Sequence, residues 1–333
     1  MRGVLTIFAV VCGSYVTAQC ILSAGPINVS SEAGVIDGVY LPENIPTKRM
    51  IQYPPVREAD VMWSKRVWRT VDLREKINHP MFYPMDYYDP QNNWVTNCNR
   101  WSLWTILKYN ILRGNITLFS PDNPYDFTML DGDQFKYPIV PESGQNYYTD
   151  SVYRQTVAQY LGKLGPQPVI PCSNMYGEDS TRLMPDGSYE YVYPPRDTIW
   201  TMSKDIVQYH IKEDWFFDKQ RSVMDVRILG IAPVIYMTDE NNQIQSMREV
   251  FWVYFPECRP VLNNYFVYND RNDAQWMSFD DFFWKRRFSS FIYKESNVFD
   301  RGIESYRTGR DALLESERIT EEMRTFESDV WNF

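Results

Sequence analysis

The chain has 333 residues, enough for one large domain or two medium ones with a substantial hydrophobic core. Aromatic residues make up 16% of the sequence while the mean hydropathy is −0.45, which is typical of a soluble protein with an aromatic interior or an aromatic binding surface. The net charge of −9, without a basic stripe, argues against nucleic acid and anionic lipid headgroups as partners.

Residues 1–18 have the features of a cleaved secretory signal. Arg2 precedes a short apolar run, and the small residues Val16-Thr17-Ala18 follow it. The run is too short to span a bilayer, and no later stretch reaches the roughly 20 apolar residues of a transmembrane helix. We therefore expect an exported chain that begins near Gln19 and has lost the positive charge of Arg2.

Four cysteines remain after this segment, and in an oxidising compartment they allow one or two disulfides. Their wide spacing leaves the pairing open. The sequence from Thr17 to Cys20 also resembles a lipoprotein acceptor site, although Gln19 stands where a small residue is needed. The four cysteines are Cys20, Cys98, Cys172 and Cys258.

Residues 19–55 lack periodicity and contain five prolines. Such a segment does not bury enough surface to fold alone, so we expect an extended arm. The simplest interpretation is a flexible leader. In the alternative, four side chains of the arm dock onto another subunit. These are Tyr40, Leu41, Ile51 and Tyr53.

Three helices are predicted in the first half of the chain. The stretch from Arg57 to Thr70 has apolar residues near helical spacing and predicts an amphipathic helix. This helix should end before His79-Pro80, because the residue before a proline avoids the helical region. The other two are predicted from Asn99 to Leu112 and from Asp150 to Leu161.

The stretch from Val223 to Phe255 predicts the centre of a sheet. Two apolar runs rich in β-branched and aromatic residues flank the nine-residue polar segment TDENNQIQS, and neither run has helical spacing. The run from Ile231 to Met237 is apolar on both faces, so we expect half of this hairpin to be covered on both sides. Two more strands are predicted at 206–215 and 264–268.

A short helix is predicted after Ser278, which has the character of an N-cap followed by acidic residues. It runs into Lys285, Arg286 and Arg287, the densest basic cluster of the chain. The simplest interpretation of this cluster is a solvated helix end, and the alternative is contact with an acidic patch on a neighbour. Residues 302–333 are predicted to be a charged surface helix with a ragged apolar stripe.

The sequence contains no recognisable catalytic motif. It has two histidines, His79 and His210, and lacks HExxH, GxSxG, a glycine-rich phosphate loop and CxxC. Asp239, Asn241 and Gln243 have the oxygen spacing of a calcium loop, but Ile244 stands where that loop needs glycine. We therefore expect a non-enzymatic protein without a cofactor or metal.

An exported carbohydrate-binding or carbohydrate-cleaving protein is the first alternative. Abundant Trp and Tyr suit sugar stacking, and the two acids of a glycosidase come from distant positions in a sequence. A concave aromatic cleft with two carboxyl groups within about 10 Å of each other would favour this alternative.

Three parts of the sequence carry more specific motifs, and together they resemble the GldN/PorN family. The resemblance covers roughly Ile51 to Ile303, in matching order. The motifs are WSKRVWR at 63–69 leading into DLREKINHP at 72–80, DVRILGIAP at 225–233 and FSSFIYKESNVFDR at 288–301.

This family is the N component of the gliding-motility and type IX secretion machinery of Bacteroidetes. The resemblance implies a periplasmic protein that binds an outer-membrane lipoprotein, forms a ring with copies of itself and contacts the periplasmic part of an inner-membrane motor complex. It implies no catalytic residues. A periplasmic adaptor that binds one partner without forming a ring is the second alternative.

The predicted architecture is α+β. An antiparallel or mixed sheet is centred on the 223–255 hairpin and flanked by helices. The organisation is a signal peptide at 1–18, an arm at 19–55, a core domain at 56–301 and a C-terminal helix or tail at 302–333.

Overall fold

The computed structural model describes residues 50–89, 93–97, 100–165, 170–172, 179–183, 189–193, 198–238, 243–272 and 277–331. The predicted signal peptide, most of the arm with Tyr40 and Leu41, and most of the calcium-like loop lie outside the described residues. The helices are α1 His79–Phe82, α2 Leu103–Leu112, α3 Ser151–Leu161, α4 Phe255–Leu262, α5 Phe279–Trp284 and α6 Arg310–Trp331. None of these described helices is long and apolar enough to cross a membrane.

The strands range from 2 to 16 residues. In chain order they are β1 Val61–Asp72, β2 Tyr87–Tyr88, β3 Trp94–Val95, β4 Leu118–Phe119, β5 Asp122–Asn123, β6 Asp126–Leu130, β7 Pro138–Ile139, β8 Gly162–Leu164, β9 Thr181–Leu183, β10 Tyr189–Tyr191, β11 Thr198–Trp200, β12 Ile206–Asp218, β13 Val223–Thr238, β14 Ile244–Glu249, β15 Trp252–Tyr254, β16 Phe266–Val267, β17 Met277–Ser278 and β18 Phe291–Glu295.

Eight of these strands form one antiparallel sheet in the order β18-β1-β12-β13-β15-β4-β7, with β14 added beside β13. The long strands β12 and β13 lie in its middle, and their register pairs Ile211 with Ile231. The predicted α+β class is therefore confirmed, and of the two predicted sheet types the antiparallel one is observed.

The predicted helix at 57–70 is wrong, because this stretch forms β1. Burial alternates from Val61 to Arg66 with the period of a strand, whereas Val67 to Val71 are buried on both faces. The double burial hides the alternation in the sequence, and the remaining apolar residues fall by chance near helical spacing. Pairing with β12 along nearly the whole strand decides the conformation.

The predicted hairpin exists, but its second arm differs from the prediction. β14 already begins at Ile244, inside the segment predicted as a nine-residue loop, and it ends at Glu249. The backbone N–H of Val250 then bonds to the carbonyl oxygen of Pro233, and the chain moves on to β15, which pairs with β13 at Gly230 and Ile231. The apolar run after Ser246 therefore supplies two short strands instead of one, followed by α4, which was not predicted.

The main core lies between the helices and one face of the sheet, and it includes Trp104, Ile211, Ile231 and Phe283. The opposite face carries a smaller cluster around Trp68, Ala232 and Trp252. Gly230 allows the loop over this second face to approach closely, because a Cβ at this position would lie 2.5 Å from the ring of Phe135. Both faces of the central strands are therefore covered, as the two-sided apolar run predicts.

Three of the predicted helices begin at side-chain caps. The Ser102 hydroxyl accepts from the backbone N–H of Thr105, the Asp150 carboxylate from Val152 and Tyr153, and the Ser278 hydroxyl from Asp281. The helices α2, α3 and α5 follow these residues, so the predictions from Asn99, Asp150 and Ser278 are confirmed within a few residues. The strand predicted at 264–268 shrinks to the two residues of β16.

The C-terminal helix α6 packs on the edge strand β18. Ile319 and Met323 are buried there, and the Ser316 hydroxyl accepts the backbone N–H of Ile292 at 2.7 Å. Phe326 stacks on Trp63 of β1, with ring centroids 4.7 Å apart. The ragged apolar stripe of the predicted surface helix therefore closes one edge of the sheet, while its polar face remains in solvent.

Truncation of this stripe tests the packing. Met323→Ala should lower the free energy of unfolding by about 2–4 kcal/mol, because it removes a buried side chain and leaves a cavity. Leu314→Ala on the exposed side of the same helix should change it by less than about 0.5 kcal/mol. Urea denaturation measures the free energy of unfolding of both variants. Equal losses in the two variants would contradict the packing of α6 on β18.

A fully buried lysine on α2 lies in a cage of three aromatic rings. The Lys108 ammonium is 4.8, 5.0 and 5.3 Å from the ring centroids of Tyr88, Trp94 and Trp200. It donates to the Tyr88 hydroxyl at 2.8 Å and to the carbonyl oxygen of Thr201 at 2.9 Å. Burial lowers the pKa of Lys108 to about 8, although nearby carboxylates act in the opposite direction.

The lowered pKa gives stability a defined pH dependence. The unfolded chain holds the Lys108 proton up to its ordinary pKa of 10.5, so the penalty for burying the charge is complete below pH 8 and disappears as the pH rises toward 10.5. Relative to Lys108→Met, the wild type should gain about 2 kcal/mol of unfolding free energy between pH 7.5 and 9.5. Urea titrations at several pH values measure this gain. A pH-independent difference would refute it, and the exposed Lys285→Met serves as the control that should show none.

Candidate functional site

A cleft of about 980 Å³ opens beside the helical layer, and sequence-distant segments form its walls. One wall is the turn and short helix at 76–84, and the other is the end of α5 with the residues that follow it. Arg100 and the turn at 268–271 close the remaining side. The described lining consists of Lys76, Ile77, His79, Pro80, Tyr83, Pro84, Arg100, Tyr268, Asp270, Arg271, Met277, Phe282, Arg286 and Arg287.

The buried side chain of Asn78 holds the two walls together. Its Nδ2 donates to the carbonyl oxygens of Asp72 at 2.7 Å and Ser289 at 3.0 Å, and its Oδ1 accepts from the backbone N–H of Ser289 at 2.9 Å. Asn78 and Asp72 belong to the DLREKINHP motif, while Ser289 belongs to the FSSF motif. Hydrogen bonds between these two sequence motifs therefore fix the relative position of the two cleft walls.

The cleft combines apolar and cationic side chains. Ile77, Tyr83 and Tyr268 are about half exposed, with 55, 51 and 47% of their surface accessible, so a partner would bury apolar area there. The buried side chains of Met277 and Phe282 also line it.

The positive charges of the cleft are largely available. Lys76, Arg100, Arg271 and Arg287 form no ion pair with a carboxylate of the described residues, and Asp270 is the one acid in the described lining. The Arg100 guanidinium lies 4.8 Å above the ring of Tyr268, and Arg287 donates to the Asn269 side-chain oxygen at 3.1 Å. In a protein of net charge −9, this is a local positive site.

The fifth cation, Arg286, is fixed by a fully buried carboxylate. It forms a bidentate pair with Glu213, at 2.8 and 3.1 Å, and Arg69 Nε lies 3.2 Å from the same carboxylate. The Trp215 indole N–H donates to Glu213 at 3.1 Å, and its ring lies 5.3 Å from the Arg286 guanidinium. Burial lowers the pKa of Arg69, whereas the negative charge of Glu213 acts to raise it.

The backbone at Arg286 shows how α5 ends at this position. Arg286 has a φ of 49°, in the left-handed region that glycine usually fills after a helix. Its N–H bonds to the carbonyl of Phe283, and the N–H of Arg287 bonds to the carbonyl of Phe282, which is the Schellman pattern. The side chain of the arginine at this strained position pairs with Glu213.

The predicted interface residues fall at three different places. Arg286 and Arg287 line the cleft, whereas Lys285 is exposed outside its described lining. Ile51 and Tyr53, from the end of the arm, lie on the protein's own core near α5. The interface role predicted for all of these residues stays a prediction.

Tyr53 lines a small pocket of about 110 Å³ that shares Arg286 with the cleft. Its ring stacks on Trp284 at 5.3 Å, and the buried Arg259 guanidinium lies 4.1 Å above its centre. Arg259 pairs with Asp280 at 2.7 Å and donates to the carbonyl oxygen of Ile51 at 2.7 Å. Burial raises the pKa of the Tyr53 hydroxyl. The arm is therefore attached to its own core at residues 51–53.

Two cleft residues were missed in the sequence, namely Arg100 and Arg271. Each is a single basic residue in a different segment, and no local pattern distinguishes it from an ordinary surface charge. Only the run from Lys285 to Arg287 forms a basic cluster that is visible in the sequence.

The described residues show no arrangement typical of metal chemistry. They contain no group of three or more His, Cys, Asp or Glu side chains that could hold a metal ion. His210 packs between Tyr293, with ring centroids 4.4 Å apart, and the carboxylate of Glu249 at 2.7 Å. The cleft's described lining lacks the pair of carboxyl groups that would favour glycoside cleavage.

Comparison with known proteins gives one family. The model of the gliding motility associated protein GldN matches residues 56–332. The chain belongs to the GldN family. No individual curated protein matches it. The GldN match includes α6. It therefore extends beyond Ile303, where the resemblance seen in the sequence ended.

The buried Glu213 should be essential for the stability of this GldN protein. Glu213→Gln leaves Arg69 buried without a counter-charge and should lower the free energy of unfolding by about 3 kcal/mol or more. The neighbouring Asp214→Asn removes a similar bidentate pair with Arg66 that is partly exposed, and it should cost at most about 1 kcal/mol. Similar losses in urea denaturation of the two variants would contradict this distinction.

Proposed function

We propose that this GldN family member is a non-enzymatic structural subunit of the gliding-motility and type IX secretion machinery, and that it acts in the periplasm. The observation that carries the proposal is the family match over residues 56–332. The signal-like features of residues 1–18 support export. No catalytic role is needed for the site that the fold assembles, because cations and half-exposed rings suit recognition.

Three kinds of partner belong to the proposal. The protein binds an outer-membrane lipoprotein of the same system, contacts the periplasmic part of the inner-membrane motor complex and forms a ring with copies of itself. These partners come from the family resemblance. The positive cleft in an acidic protein adds a chemical constraint, since it fits an acidic segment with apolar side chains.

A closed ring requires two different surfaces on each subunit that fit head to tail. The cleft is one candidate. A second lies at the β18 edge, where the turn after this strand exposes Val298 and Phe299, with 97 and 73% of their surface accessible. Val298 and Phe299 are not part of the described lining of the cleft, so the two surfaces are distinct, as a head-to-tail interface requires.

Affinity purification from the native cell envelope with mild crosslinking tests the proposal. We expect the full chain to retain the lipoprotein, motor subunits and further copies of itself in large assemblies. Arg271→Glu with Arg287→Glu should lose one of these partners, whereas Lys204→Glu with Lys219→Glu, an equal charge change at exposed positions, should retain them all.

The other outcomes have definite meanings. Recovery of one protein partner in a small complex would support the adaptor without a ring. A chain that is recovered alone, or with bound oligosaccharide, would refute the structural role.

A further inference from the structure

The end of the arm and the cleft share one short stretch of chain. Residues 279–287 comprise α5 and the turn after it. Three of these residues line the cleft, and three line the small pocket that Tyr53 also lines, with Arg286 in both sets. The cleft residues are Phe282, Arg286 and Arg287, and the pocket residues are Phe283, Trp284 and Arg286. A displacement of this stretch therefore changes both places.

The arm contacts α5 at two residues that lie one helical turn apart. The ring of Tyr53 stacks on Trp284, with ring centroids 5.3 Å apart. The buried Arg259 donates to the carbonyl oxygen of Ile51 at 2.7 Å and forms a bidentate pair with Asp280, at 2.7 and 3.0 Å. Asp280 and Trp284 are four residues apart, so they lie on the same face of the helix. The arm therefore holds this face of α5.

The same part of the arm is also attached to the sheet. Arg227 of β13 donates to the carbonyl oxygen of Pro54, and its guanidinium lies 5.0 Å from the centroid of the Tyr53 ring. The Arg259 guanidinium lies 4.1 Å from the centroid of the same ring. Residues 51–54 therefore link α5 to a central strand of the sheet.

The cleft lies on the other side of α5. Because an α-helix has 3.6 residues per turn, Phe282 lies roughly opposite the face that the arm holds. The turn after the helix is fixed to it by backbone hydrogen bonds, from the N–H of Arg286 to Phe283 and from the N–H of Arg287 to Phe282. Arg287 forms no ion pair with a carboxylate of the described residues, and its direction follows the position of α5.

The short helix depends on side-chain contacts for its position. It has six residues, and an isolated helix shorter than about 12 residues is marginal in water. Phe279, Phe282 and Phe283 are buried in the core, and Arg286 pairs with Glu213 after the end of the helix. The arm holds a further face, so its release removes one of these three attachments of the cleft wall.

We propose that Tyr53 is a positioning residue for the cleft. The attached arm keeps α5 where Phe282 and Arg287 form the cleft wall, so an acidic ligand binds the cleft more tightly when the arm is attached. Because the coupling between two sites is reciprocal, a ligand in the cleft also strengthens the attachment of the arm. This inference rests on the proposed recognition of acidic segments by the cleft.

Binding of a fluorescent deca-glutamate peptide to variants of the full chain tests the proposal. Tyr53→Ala should weaken binding about fivefold or more, which is the lower end of typical coupling between sites. Tyr53→Phe keeps the stacked ring, and Tyr125→Ala truncates a tyrosine that is 92% exposed and outside the described lining of the cleft. Both should stay within about twofold of the wild type. None of these substitutions changes the net charge at neutral pH, so a difference in affinity reports on the position of the cleft wall.

The outcomes separate this inference from the proposed recognition itself. Arg271→Glu with Arg287→Glu should abolish binding of the peptide. If the wild type does not bind it, or if this charge-reversed variant binds it equally well, the cleft does not recognise acidic segments and this inference fails with that proposal. Binding at the cleft with equal affinity for Tyr53→Ala and the wild type would refute the coupling alone. Equal weakening by Tyr53→Phe and Tyr53→Ala would show that the stacked ring does not position the cleft.

Proteolysis of the wild type measures the reciprocal effect. Arg57 follows Tyr53 by four residues, so trypsin needs a detached arm to cleave after it, and the cleavage rate follows the population of the open form when opening is fast. Saturating deca-glutamate, which has no trypsin site, should slow this cleavage about fivefold or more. An unchanged rate would overturn the proposal. Equal slowing in the variant with Arg271→Glu and Arg287→Glu would place the effect outside the cleft and would overturn it as well.

Discussion

The fold depends on one buried carboxylate. Glu213 lies in the centre of β12 without solvent contact, between Arg69 of β1 and Arg286 after α5. A charge in this position is tolerated only when its partners and hydrogen bonds are complete, and removal of one partner leaves a costly buried charge. The cluster therefore links two neighbouring strands with the helical layer, and it fixes the end of α5 where the basic cleft begins.

The sequence motifs of the family have structural roles around this centre. Asn78 of DLREKINHP joins the wall at 76–84 to Ser289 of the FSSF motif. Gly230 of DVRILGIAP makes room for Phe135 over the second face of the sheet. Arg69 of WSKRVWR is a partner of Glu213. In each case the residue holds neighbouring segments at fixed positions through a hydrogen bond, an ion pair or close packing.

This arrangement gives an acidic protein a local concentration of positive charge beside half-exposed aromatic rings, within the part of the chain that the structure describes. Arg286 is already neutralised by Glu213, so its contribution is to hold the wall in place. The other basic residues of the cleft form no ion pair with a carboxylate of the described residues.

What the sequence determined by itself is the local part of the structure. Ser102, Asp150 and Ser278 begin helices because a side-chain cap bonds within the next turn, and the central strand β13 follows from its run of β-branched residues. The conformation of residues 57–70 was decided by pairing with β12. Arg66 of this segment contacts Asp214, which lies 148 residues later in the chain. No local periodicity in the sequence reveals such a contact. The cleft likewise exists only in the tertiary structure. Lys76, Arg100 and Arg271 come from separate segments, and a charge distribution in space cannot be read from residues that are isolated along the chain.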